Sequence, residues 1–115
     1  MNSEAVQNLM NQVNHLKEQC QTANPNGQAL QQDFLRIQQT FQTQVLPLAD
    51  QVAHPETVQP ILTEMNRTFR LLGTDVAFMQ AARKSMTRQQ RQRQMAEKLR
   101  QLLAFCEALM KALMV

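Results

Sequence analysis

The groups in this 115-residue chain that could do chemistry are two thiols, two imidazoles and nine carboxylates, and their spacing assembles none of the usual sites. Cys20 and Cys106 form no CxxC pair and no ligand cluster, so they are expected as free buried thiols. His15 has no second histidine or cysteine three or four residues away, where a helix would bring a ligand to the same side. His54 is equally isolated. No Glu-x-x-His pair of the kind that binds metals inside helical bundles occurs. A phosphate loop needs clustered glycines, and the only two here, Gly27 and Gly73, are far apart. With no nucleophile elbow and no HExxH either, the expectation is a protein that is not an enzyme and uses no cofactor or metal.

Charge is the stronger signal. Residues 1–65 carry two cations against six acids, a net −4, and residues 66–115 carry ten against three, a net +7. The basic run Arg83, Lys84, Arg88, Arg91 and Arg93 falls in a stretch with no acid between Asp75 and Glu97. Such a surplus marks a surface for an acidic partner. Nucleic acid is disfavoured: there is no Tyr or Trp, the five Phe belong mostly to helix seams, and no helix-turn-helix spacing occurs. No apolar run is long enough to span a bilayer and no secretory signal is visible, so the expected location is the cytoplasm.

Helices must position these groups. The longest apolar seam runs through Met65, Phe69, Leu72, Val76 and Met79, in steps of four and three that align on one helix face. The spacing predicts this third helix over about 58–84, with Thr57 as its cap and Pro60 in its first turn. A first helix is predicted over about 3–22, capped by Ser3, with Val6, Leu9, Val13, Leu16 and Cys20 inward. The turn at 23–27, ANPNG, ends it: Pro25 disfavours helical geometry at Asn24, and Gly27 tolerates positive φ. A second helix from Gln28 buries Leu30, Phe34, Ile37 and Phe41. Pro47 should kink it without ending it, because Leu48 and Val52 resume the apolar phase. A fourth helix over about 88–113, with Thr87 and Gln90 at capping-box spacing, buries Met95, Leu99, Leu102, Cys106, Leu109 and Leu113. Gly73, inside the third helix, costs about 1 kcal/mol against alanine. Either a neighbouring helix or a partner approaches closely there, or the position is plain surface.

Four amphipathic helices with short connections imply an all-α protein: one domain over 1–115, folded as an antiparallel up-down-up-down four-helix bundle. Cys20 and Cys106 would then stand about 25 Å apart at 1.5 Å per residue, too far for a disulfide. The basic run falls at one end of the bundle. Leu71 and Phe78 lie seven apart on a flank of the third helix away from its seam. The expected partner-binding residues are therefore Arg67, Arg70, Leu71, Phe78, Arg83, Lys84, Arg88 and Arg91. Reversal of Arg83, Lys84 and Arg88 to glutamate is expected to weaken binding without unfolding the bundle. The alternatives are a basic nucleic-acid-binding regulator and a homodimer formed through Leu71 and Phe78.

From Leu71 to Met110 the sequence resembles the cyanobacterial heterocyst-frequency control family, PatD. That family is similar in an LRLL-x-x-D-V-x-F-x-Q-x-AR core followed by an Arg-rich helix ending in an aromatic-Cys pair. Here the core corresponds to Phe69–Arg83 and the pair to Phe105 and Cys106, with weaker echoes in DFLRIQQTFQTQVLPLAD. The resemblance implies a non-enzymatic regulator of cell differentiation. It also implies contact with the tubulin-like division GTPase FtsZ, whose filament assembly such proteins modulate. FtsZ is acidic, in agreement with a basic docking face.

Overall fold

The apolar seams of four helices meet along their length in this computed structural model, which describes residues 2–23, 25–81 and 85–114. The helices are α1 (Asn2–Cys20), α2 (Gly27–Thr40), α3 (Pro55–Ala81) and α4 (Ser85–Leu113), and no strand occurs among the described residues. Val6, Leu9, Val13, Leu16 and Cys20 of α1 are wholly buried, as are Met65, Leu72 and Val76 of α3 and Met95, Leu99 and Leu102 of α4. Each such side chain contributes about 1.5–3 kcal/mol by leaving water. Leu113, expected in the α4 seam, is only half-buried, because it stands at the last residue of the helix.

Each helix packs on two others: α1 on α2 and α4, α3 on α2 and α4. The α2–α3 contact is aromatic at its centre. The Phe69 ring lies 4.8 Å from Phe41 and 6.5 Å from Phe34. Gly73 is explained by this contact: a Cβ there would come within 3.1 Å of the Phe34 ring tip. The close approach is by a neighbouring helix.

Gly27 departs from expectation. No glycine among the described residues has positive φ. Its need is for space, since a Cβ on Gly27 would lie 3.0 Å from Gln80 Cα and 3.2 Å from the Met79 carbonyl oxygen. The start of α2 is thus seated directly on the backbone of α3. Asn26 caps α2, its Oδ1 accepting from the backbone N–H groups of Gln28 and Ala29 at 3.0 and 3.1 Å.

Pro47 changes the helix type without stopping the chain. The turns at Phe41–Val45 are π-helical, with the Leu46 N–H reaching back five residues to the Phe41 carbonyl, and Leu46–Asp50 is a 3-10 segment. A proline ring crowds the carbonyl four residues earlier, and wider turns relieve that crowding. The Thr40 and Thr43 hydroxyls donate to the Arg36 and Gln39 carbonyls at 3.1 and 2.8 Å, a pattern that also bends helices. Phe41, Val45 and Leu48 stay buried through the change.

All four helix starts differ from the sequence expectation, α2 opening one residue early at Gly27. α1 begins at Asn2, so Ser3 lies inside it. α3 begins at Pro55, whose preset φ and missing N–H suit a first helical position. Thr57 is consequently inside the first turn, donating to the His54 carbonyl at 2.7 Å, and Pro60 falls in the second turn. α4 begins at Ser85, which places Thr87 within the helix and not at its cap. The expected end of the first helix also moves inward, to Cys20, and the expected end of the third, at Lys84, lies outside the described residues.

Candidate protein-docking face

The site residues predicted from sequence divide into three groups. Arg67 and Arg70 are exposed on α3, and the Arg67 guanidinium stands 3.8 Å from Glu64 one turn earlier. Leu71 is 46% exposed and Phe78 is 37% exposed, on the same helix. Seven residues of helix separate them by about 10 Å, so they form two apolar anchors on one flank. A shallow groove between α3 and α4 is lined by Arg67, Leu71, Arg93, Gln94, Glu97, Lys98 and Gln101, and Phe78 is not among its lining residues.

Arg88 and Arg91 form the second group, and both are engaged within the molecule. Arg88 Nη2 donates to the Pro25 carbonyl at 2.7 Å, tying the start of α4 to the turn between α1 and α2. Arg91 lies over the Phe78 ring, 4.2 Å from its centroid, while its Nη1 donates to Asp75 Oδ1 at 3.2 Å and to Gln94 at 3.4 Å. Arg91 therefore holds Phe78 in place and is less available to an outside group than the sequence suggested. Arg83 and Lys84, the third group, lie outside the described residues.

Sequence reasoning gave Asp75 no structural role beyond bounding the basic stretch, and this is its largest omission. Asp75 is 1% exposed at the α3–α4 contact, where Arg91 and Lys98 reach its two carboxylate oxygens from α4. A carboxylate is tolerated there because two cations replace the lost water. The signal was present: Asp75 lies between Leu72 and Val76 of the seam, a place where a lone acid requires a partner.

The two thiols are buried and unpaired. Cys20 Sγ lies 3.5 Å from the Gln92 carbonyl of α4, and Gln92 in turn donates to the carbonyls of Cys20 and Thr22. Burial, with a smaller push from the Asp75 charge, raises the Cys20 thiol to about 11. Burial and then Glu107 raise Cys106 to about 12. Both remain protonated at neutral pH and are poor nucleophiles. Among the described residues no group of three or more His, Cys, Asp or Glu is placed to hold a metal ion. Among the described residues no helix is long and apolar enough to cross a membrane.

Comparison with known proteins adds one finding. No curated protein and no solved structure matches the chain. A family model described as the CRR41 C-terminal domain matches residues 2–107.

Proposed function

Because the chain belongs to the CRR41 C-terminal domain family, we propose a function for that helical domain in this protein: a non-enzymatic adaptor that docks an acidic segment of another protein on the α3–α4 face. The observation that carries this reading is exposed Leu71 in a groove with Arg67 on one side and Arg93, Lys98 and a single acid, Glu97, on the other, and exposed Phe78 further along α3. Apolar anchors about two helical turns apart suit an amphipathic helix laid in a groove. Arg67, Arg70 and Arg93 supply steering and register for its carboxylates.

The alternating direction of the helices is part of the same reading. Phe41 faces Phe69, Phe34 faces Gly73 and Gly27 faces Gln80, so positions descend along α3 as they climb α2. The Arg88–Pro25 bond ties the start of α4 to the segment between α1 and α2. These contacts support an antiparallel up-down-up-down bundle over a single domain. The setting we assign is the cytoplasm.

The PatD resemblance nominates FtsZ as the first partner to try, with modulation of filament assembly and of heterocyst frequency as the regulatory role. The test is binding of the purified chain to FtsZ, compared with the double reversal Arg67→Glu, Arg70→Glu. These two replace the earlier choice of Arg83, Lys84 and Arg88, because Arg88 also fastens a turn. Affinity should fall by at least roughly tenfold while the helical signal is unchanged. Full affinity in the double variant would remove the face from consideration. Salt-dependent binding to plain duplex DNA would transfer the assignment to nucleic acid, and a doubled mass with Leu71 and Phe78 covered would assign a homodimer.

A further inference from the structure

The face formed by α1 and α2, across the bundle from the α3–α4 groove, holds a second cleft. It is lined by Asn11, Gln12 and His15 of α1 and by Asp33, Arg36 and Ile37 of α2. Two acceptor oxygens there, Gln12 Oε1 and Asp33 Oδ2, are shielded from bulk solvent and have no donor from the described residues. The Asp33 side chain is only 13% exposed. Its other oxygen, Oδ1, is taken by Arg36 Nη1 at 3.2 Å. His15 does not fill the gap: its Nε2 faces the Gln19 amide nitrogen at 3.2 Å and stands 3.9 Å from Asp33 Oδ2, beyond hydrogen-bond reach. Ile37, 1% exposed, provides an apolar wall.

A buried acceptor without a donor is costly, and a half-used carboxylate more so. Two such oxygens from different helices, beside an apolar wall, match a planar cation that donates from separate nitrogens. Guanidinium has that shape: five N–H donors in a rigid fork, with weakly hydrated faces that rest on apolar surface. We propose that the α1–α2 cleft binds a guanidinium group between Asp33 and Gln12. The site is independent of the α3–α4 docking face. It would let one small domain hold an acidic element on one side and an arginine-bearing one on the other.

The test is titration of the intact, isotopically labelled chain with N-acetyl-arginine amide, followed by its backbone amide resonances. N-acetyl-citrulline amide, neutral and nearly the same shape, is the control. Saturable shifts at 11–15 and 33–37 at millimolar ligand, absent with citrulline, are the expected result. Asp33→Asn should weaken binding by at least roughly tenfold while keeping an acceptor for Arg36, and Gln12→Leu should weaken it independently. Agmatine distinguishes the source: tighter binding than the blocked arginine points to a free small cation, weaker binding to a protein side chain, and either supports the site. Shifts scattered over the molecule, equal response to citrulline, or undiminished binding in both variants would overturn it. Loss of FtsZ binding in the α3 reversals leaves this outcome untouched, so the two readings fail separately.

Discussion

Lys98 Nζ on α4 lies 2.5 Å from Oδ2 of Asp75 on α3, joining the two longest helices through a carboxylate that is 1% exposed. Asp75→Asn leaves Lys98 and Arg91 facing a neutral amide. Breaking a fully buried pair costs about 3–5 kcal/mol. The two cations are 20% and 31% exposed, so water offsets part of this. The expected loss is about 2 kcal/mol in urea unfolding, with part recovered when Lys98→Met is added. Unchanged stability in Asp75→Asn would mean that the ion group does not clamp the helices.

The two glycines should respond unequally to alanine. At Gly73 the new methyl meets a ring tip, 3.1 Å from Phe34 Cζ, which can shift. Overpacking of about 1–3 kcal/mol then works against a helix-propensity gain of about 1 kcal/mol, for a net loss near 1 kcal/mol. In a Phe34→Leu background the same change should stabilise. At Gly27 the methyl meets α3 backbone at 3.0 and 3.2 Å, which cannot move alone. Gly27→Ala should therefore cost more than Gly73→Ala in parallel thermal melts, and the reverse order would contradict this account of both sites.

Alkaline pH should weaken the fold through the thiols. Their unfolded value is near 9.0, and in the folded chain they rise to about 11 and about 12. The folded form thus holds protons that the unfolded form has lost. Stability from this source is full below pH 9, declines as pH rises, and is lost above the folded values. Cys106→Val should flatten the decline measured by denaturant midpoints between those limits. A thiol reagent at neutral pH should react slowly with native protein and rapidly once guanidinium unfolds it.

Docking and stability should separate at the two exposed anchors. Leu71→Asp removes an apolar group that is 46% exposed, so the stability read from urea unfolding should change by no more than about 0.5 kcal/mol while partner binding is lost. Phe78→Ala also removes the ring beneath Arg91, a contact of about 0.5–1 kcal/mol, and should cost more stability. Binding that survives Leu71→Asp would exclude Leu71 as an anchor.

The helices and the residues they bury are legible in the apolar spacing alone. A repeat of three and four leaves one way to hide Val6, Leu9, Val13 and Leu16, or Met65, Phe69, Leu72 and Val76, and that way is a helix packed along its stripe. Where each helix starts, why Gly27 and Gly73 are glycines, and which cations are engaged emerge from the packing of one helix on another. Those outcomes depend on what another helix brings within a few ångströms. Arg91 reads as a surface charge until Asp75, sixteen residues earlier, is found beneath it. Nothing in the spacing around Asp33 shows that one of its oxygens is held by Arg36 while the other lies shielded without a donor in the α1–α2 cleft. Periodicity reports which side of a helix leaves water; it carries no information about which partner waits there.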